Sequence, residues 1–293
     1  MLVVADSLRR DTFSQITNLH GYGDVAVKPY SVVSMNSTTE LSLPWMLTGT
    51  QNYNPHDNLP LDLKPKGYHT LLIHSNPIVD RFKSCFDIAI DLHRENRRAR
   101  LGRKYNHVRD ALQKRLSTET YHRVKRAILG GSENYLPYSR IKDKLAALEE
   151  YKPEPPWFVW LHLMDPHTPY YPLGVDLDAE KIVDLNDNQI SAVRGYYQPD
   201  VEEVKLWYSL YLEESSEMWL ALNKYLCGVD IGETVVLFTS DHGEEFGEHG
   251  HYGHKGNRFN PENISVPFLI AGETSSINIK NHSQLRSLIK IFS

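Results

Sequence analysis

The sequence predicts an α/β fold, with a largely parallel central sheet and helices on both faces, and three observations lead there. The chain has 293 residues, enough to bury a large core as one domain with an inserted subdomain. Three apolar runs, Leu2-Val3-Val4-Ala5, WFVWLHLM at 157–164 and Val235-Val236-Leu237-Phe238, are rich in β-branched and aromatic residues and have the length of buried strands. Each run leads into an acid: Asp6, Asp165 and Asp241. In an open α/β sheet ligands bind beyond the carboxyl ends of the strands, so strands pointing the same way set all three acids on one rim.

Composition narrows the class. A hydrophobic content of 41% with 24% charged residues is that of an ordinary soluble globular protein, which excludes fibrous and disordered classes. Cys85 and Cys227, the only cysteines, sit in neither a metal nor a redox spacing, which argues against a disulfide framework. No apolar run reaches the roughly 18–20 residues that span a bilayer. Leu2-Val3-Val4-Ala5 is also too short for the apolar region of a signal peptide. The expectation is a cytoplasmic protein, with one reservation: Met1 falls almost inside the first strand, as it would if upstream residues had been removed.

Taken in order, Leu2–Ala5 is a strand ended by Asp6, and residues 7–11 read as a polar turn. Residues 37–49 place hydroxyls first, then Glu40, an early Pro44, an apolar stretch and Gly49, a helix start and stop. A hydroxyl at a helix N-terminus meets unpaired N–H groups and the positive end of the dipole; plain N-capping is its commoner use. Residues 71–74 read as a further strand.

Residues 94–126 then hold twelve Lys and Arg against Glu95, Asp110 and Glu119, a net +9 that leaves the remainder at −14. Val108, Leu112 and Leu116 give this stretch a helical stripe, and 94–150 reads as a basic helical insertion within a single domain, 1–293. Such a run is ordinarily a solvated helical face; contact with a polyanion or a membrane surface is its functional alternative. Helices follow at 141–150 and 201–226. Residues 174–200 read as a polar excursion over the site.

The stretch 234–254, TVVLFTSDHGEEFGEHGHYGH, carries the most chemistry. Asp241 and His242 follow its strand, and a glycine-punctuated loop holds His249, His251 and His254. Asp and His suit Zn²⁺ or Mn²⁺ best, with Mg²⁺ or Ca²⁺ as oxygen-seeking alternatives. With Asp6, Asp165 and His167 of the D-P-H segment, three Asp and several His make a ligand set for one or two divalent ions. Paired metals stabilise the entering and leaving oxygens of an in-line displacement.

The chain resembles the sulfatase branch of the alkaline phosphatase superfamily. The resemblance rests on VVADSLRRD, TTELSLPWMLTG, GYHTLLIHSNP, WLHLMDPHTPYYP, FTSDHGEEFGEHGHYGHKGN and VPFLIAG, in the family's order over about 1–82 and 157–272. It implies Thr39 as nucleophile, ten residues before the glycine of L-T-G, and Asp6, Asp241 and His242 as ligands of the metal that meets it. It implies Asp165, His167 and His254 as a second metal site or, in one-metal members, a cationic substrate clamp. His254 stands where sulfatases commonly carry Lys, which favours a phosphatase-like arrangement. His251 and His249 are weaker candidates for substrate contact.

One departure is informative. Sulfatases acting through formylglycine carry Cys or Ser in a C/S-x-P-S/A-R pattern, whereas residues 39–43 here read TELSL. Threonine cannot become that aldehyde hydrate. The expected function is therefore metal-dependent hydrolysis of phosphate mono- or diesters, on a small-molecule, glycan or lipid ester. The alternatives are transfer of a phospho-alcohol group, sulfuric ester hydrolysis, and a non-catalytic polyanion-binding role for the basic segment.

Overall fold

Alternation along the strands decides how the sheet is buried. In the computed structural model, which describes residues 1–22, 27–93, 138–230, 232–272 and 279–291 with Arg115 and Thr120 besides, strand β1 (Leu2–Ala5) sends Val3 and Ala5 into one core and Leu2 and Val4 into another. Strand β5 (Trp157–Leu163) divides in the same way, Val159, Leu161 and Leu163 against Phe158 and Trp160. A sheet apolar on both faces must be covered on both, which is why its strands read as continuous hydrophobic runs.

The sheet has seven strands. Beyond β1 and β5 these are β2 (Val27–Val33), β3 (His69–His74), β4 (Ile88–Asp91), β6 (Val236–Ser240) and β9 (Ser265–Ala271), in the order β2-β9-β6-β1-β5-β3-β4. β1 pairs in parallel with β5 and β6, β5 with β3, and β3 with β4. Only β9 runs against the others, antiparallel to β2 and β6. A short hairpin, β7 (Glu245–Phe246) with β8 (Tyr252–Gly253), stands apart from the sheet.

On one face lie α1 (Arg10–His20), α4 (Ile141–Tyr151), α5 (Ala179–Val193) and α6 (Val201–Leu226), packing Phe13, Leu148, Leu185 and Trp219 into the core. The other face is covered by α2 (Thr39–Thr48), α3 (Leu59–Leu63) and α8 (Leu285–Ile291), through Leu43, Leu63 and Leu288. A single turn, α7 (Pro261–Ile264), leads into β9. Cys85 and Cys227 are both free. Among the described residues no helix is long and apolar enough to cross a membrane.

Several elements differ from the sequence reading. The polar turn at residues 7–11 already contains the start of α1, whose apolar content is little more than the buried Phe13 and Ile16. The excursion at 174–200 holds α5, started by the Asp178 side chain accepting from Lys181 N. β4 is an edge strand whose residues are mostly exposed, so it has no apolar signature. β2 lies at the opposite edge, where Pro29, lacking an N–H, is tolerated. The basic segment 94–126 lies outside the described residues, Arg115 and Thr120 aside; of the insertion read at 94–150, α4 is described.

Two details fix the catalytic rim. Pro44 sits inside α2 and cannot bond the carbonyl of Glu40 four residues back. That carbonyl accepts instead from Arg81 Nη2 at 2.6 Å. On the other side of the sheet, Tyr211 of α6 donates its hydroxyl to Ser7 O at 2.9 Å and accepts from Arg9 N at 2.8 Å. Tyr211→Phe leaves both buried backbone groups unpaired and should lower stability by about 1–3 kcal/mol. An unshifted denaturation midpoint would show that these bonds do not hold the turn after β1.

Candidate active site

The site begins where β6, β1 and β5 end side by side. Asp6 follows β1, Asp241 and His242 follow β6, and all three side chains are fully buried. Ser7, directly after Asp6, has φ 65°, a left-handed conformation uncommon for a residue with a side chain. It is held there by Tyr211, by its N–H on Asp241 Oδ1 at 3.2 Å and by its Oγ on Asp6 Oδ1 at 3.1 Å. Gly243 follows His242 because the chain passes close to α7: a Cβ there would lie 2.0 Å from Glu262 O.

Thr39, the first residue of α2, is buried, and its hydroxyl reaches this rim. Oγ1 donates to Asp6 Oδ2 at 3.2 Å and lies 3.2 Å from His242 Nε2. His242 Nδ1 lies 2.9 Å from Gly243 O and so carries its proton, which leaves the Nε2 lone pair facing Thr39, Asp6 and Asp241. Nε2 is 3.6 Å from Asp6 Oδ1 and 3.5 Å from Asp241 Oδ2. Asp241 Oδ2 is buried with no hydrogen-bond partner. A buried carboxylate oxygen left unpaired, facing a second carboxylate and a bare imidazole nitrogen, is the donor set of a divalent cation. The residues fit the metal that the resemblance implies.

Electrostatics agree with that reading. Burial, with Asp6 nearby, pushes Asp241 up to about 7. Burial opposes ionisation of Asp6 too, but His167, His162 and His242 outweigh it and hold Asp6 well below the usual carboxylate range. Burial and the neighbouring His254 depress His242 to about 3, so its ring is neutral, as a metal ligand must be. His254 goes the other way. Burial would lower it, but Glu244, 2.9 Å from its Nδ1, with Asp6 and Asp241, raises it to about 9.

The remaining candidates separate. His167 and His254 stand together at the rim, ring centroids 5.3 Å apart, and His254 lies 4.2 Å from His242. Asp165 turns Oδ1 to Ile141 N at 3.0 Å, at the N-terminus of α4, while its Oδ2 is buried with no hydrogen-bond partner. His249 makes an exposed pair with Glu262 at 2.8 Å, and His251 is exposed in the hairpin turn, neither within the cluster.

Three participants escaped the sequence reading. His162, mid-strand in β5, sets Nε2 3.2 Å from Asp6 Oδ2. Asn76 donates to the same oxygen at 2.9 Å, and Glu244 charges His254. The signal for His162 was a lone polar residue inside WFVWLHLM. Its alternation with Trp160 and Leu163 did not show that it faced the rim.

A cavity of about 830 Å³ opens over the cluster, lined by Thr39, Asn76, His167, His254 and Lys255, with His93 and Tyr138 at its edge. A larger cavity, about 1190 Å³, lies at the other end of the sheet beside Met1, Trp157 and Val235, and none of the rim residues lines it.

Two buried aspartates after adjacent parallel strands, a histidine and a helix-heading threonine thus share one rim of the sheet. The family model for Sulfatase matches residues 2–293, and the chain belongs to that family. No curated protein matches the chain.

Solved structures share its fold. The soluble domain of lipooligosaccharide phosphoethanolamine transferase A from Neisseria meningitidis is 16% identical, with TM-score 0.62 over 98% of this chain and 85% of that one. The C-terminal periplasmic domain of EcEptC from Escherichia coli, in complex with Zn, is 16% identical, with TM-score 0.58 over 99% and 80%. The phosphonate monoester hydrolase SpPMH from Silicibacter pomeroyi is 13% identical, with TM-score 0.59 over 98% and 71%.

Asp241→Asn should strip the bound divalent metal, measured by elemental analysis of the purified protein, while His249→Ala should retain it. His162→Ala removes one donor from Asp6 and should weaken metal binding by about 10–100-fold, as loss of such supporting bonds does. Equal metal affinity in wild type and His162→Ala would remove His162 from the site.

Proposed function

We propose that the chain catalyses phosphoryl transfer from phosphate mono- or diesters through Thr39. One observation carries this reading: the Thr39 hydroxyl stands at the head of a helix, 3.2 Å from both Asp6 Oδ2 and His242 Nε2, beside the unpartnered Oδ2 of Asp241. A divalent ion held by Asp6, Asp241 and His242, zinc or manganese by its mixed nitrogen and oxygen donors, would lower the pKa of that hydroxyl and draw charge from the phosphoryl oxygens.

The chain's own groups order the rest. Thr39 Oγ1 donates to Asp6 Oδ2, which orients the hydroxyl, while His162 and Asn76 keep that oxygen fixed. The N–H groups of Thr39 and Glu40 at the head of α2, which take no side-chain cap from Thr38, would meet the phosphoryl oxygens. His254, charged through Glu244, supplies a cation and a proton donor on the cavity side, with Lys255 beside it. Oγ1 loses its proton to solvent and bonds to phosphorus as the ester oxygen leaves with the proton of His254. Water or an alcohol then attacks the phosphothreonine, gives its proton to His254, and Oγ1 leaves and takes a proton from solvent.

With water as acceptor the enzyme is a hydrolase. A transferase reading, with an alcohol as acceptor, is favoured by the shared fold of the phosphoethanolamine transferases. Sulfuryl chemistry is disfavoured because TELSL lacks the formylglycine precursor. We also propose that the basic segment 94–126 meets an anionic partner, a polyanion or a membrane surface; His93, directly before it, lines the cavity.

Thr39→Ala should keep metal and fold yet lose phosphoester turnover by about 10³-fold or more, with Thr39→Ser retaining part of it. Wild-type turnover of an aryl phosphate by Thr39→Ala would refute the nucleophile. A preference of the wild type for aryl sulfates would reverse the substrate class.

Glu244→Gln removes the carboxylate that keeps His254 protonated. The cation is present below about pH 9 and lost above it, so this change should move that loss to lower pH. KM for an aryl phosphate at neutral pH should then rise by about 10-fold, in line with losing a charge-assisted hydrogen bond. A pH profile identical to wild type would exclude His254 as the clamp.

A further inference from the structure

Among the described residues, one other group besides Asp6, His162 and Asp241 brings ring nitrogen and carboxylate oxygen atoms within 4.8 Å of one another: His74, Asp80 and Asp91. Topology produces it. His74 and Asp91 are the last residues of the parallel strands β3 and β4 and are paired in register. Asp80 comes from the 3-10 turn Val79–Cys85 that connects these strands.

Exposed acids gather on many surfaces without holding an ion, so the acids alone decide nothing. His74 makes the difference. Its side chain is fully buried, and Nδ1, 3.0 Å from Asn76 O, must carry the proton because a carbonyl only accepts. Nε2 is therefore a bare lone pair, and it has no hydrogen-bond partner. Burial holds the ring below the ordinary imidazole range even though Asp91 and Asp80 pull the other way, so it stays neutral and able to ligate.

The oxygen nearest that lone pair is Asp80 Oδ1, at 3.9 Å. It is not the oxygen taken by Lys83, whose Nζ bonds Oδ2 at 2.9 Å. Asp91 Oδ1 accepts from His93 N at 2.8 Å and lies 3.9 Å from His74 Nδ1, which leaves the second oxygen of Asp91 for a ligand.

We propose that His74, Asp80 and Asp91 form a second divalent-cation site, of zinc or manganese type, outside the catalytic rim. Two ligands of one such ion, at bonds of about 2.0–2.2 Å, lie roughly 3–3.5 Å apart. The two aspartates, 36% and 45% exposed, have room to turn toward Nε2, Asp80 from 3.9 Å and Asp91 from the Nδ1 side of the ring. A cation there ties the end of the edge strand and the 3-10 turn to β3. It also steadies residues 74–76, from which Asn76 reaches Asp6. The site is a positioning device, and its chemistry does not depend on which ester the enzyme cleaves.

Equilibrium dialysis against Zn²⁺ alone, with elemental analysis, tests it on four proteins: wild type, Asp80→Asn/Asp91→Asn, Asp241→Asn and the triple variant. The double variant should bind one equivalent less zinc than wild type, and the triple variant one less than Asp241→Asn. Equal zinc in each pair overturns the proposal. Failure of the catalytic metal reading shows up separately, as equal zinc in wild type and Asp241→Asn. Circular dichroism checks folding of the exposed-site variants. If the double variant does not fold, Asp80→Asn alone must weaken this zinc equivalent at least tenfold, and unchanged binding then refutes the site.

Discussion

Two carboxylates buried side by side govern this molecule. Asp6 and Asp241 end neighbouring parallel strands and have no access to water. Like charges so placed oppose each other's ionisation, as the raised Asp241 records. Without compensation the pair would penalise the fold it sits in. Ser7 in its left-handed turn, the neutral His242, Thr39, Asn76 and His162 all converge on these carboxylates, and the set is complete once a cation joins it. Much of the surrounding architecture, from the Tyr211 brace to the Arg81 tie on α2, keeps that convergence in place.

The same pair explains the division of labour among the histidines. His242 is stripped of charge by burial, and His254, a ring's width away, is charged through Glu244. A neutral imidazole suits a metal and a charged one suits an anionic ester. Neighbouring rings of one residue type thus shift in opposite directions, His242 through burial and His254 through Glu244 with Asp6 and Asp241.

Much of this was legible in the sequence, and the reasons for success and failure are physical. β1, β5 and β6 are central strands buried on both faces, so their apolar runs stand out, and the acids that end them stand out with them. α6 was legible to its ends because Asp200 caps one and the turn at Gly228 closes the other. β4 and α1 were missed because exposed edges and polar helices leave little hydrophobic pattern. Asp165, named beside His167 and His254 through the family resemblance, also gives one oxygen to the head of α4, a use that its place after a strand could not reveal. His162 and Glu244 depend on contacts across the sheet and the hairpin, which no local spacing encodes.

His93 and Tyr138, the residues on either side of the segment 94–137, both line the cavity, and Tyr138 donates its hydroxyl to His167 O at 2.7 Å. The fold therefore has a splice point whose two ends are already fixed beside the chemistry. Closing a chain between fixed ends costs little more as it lengthens, since the entropy grows only with the logarithm of length. A change of length between His93 and Tyr138 therefore need not move either of them from the cavity they line.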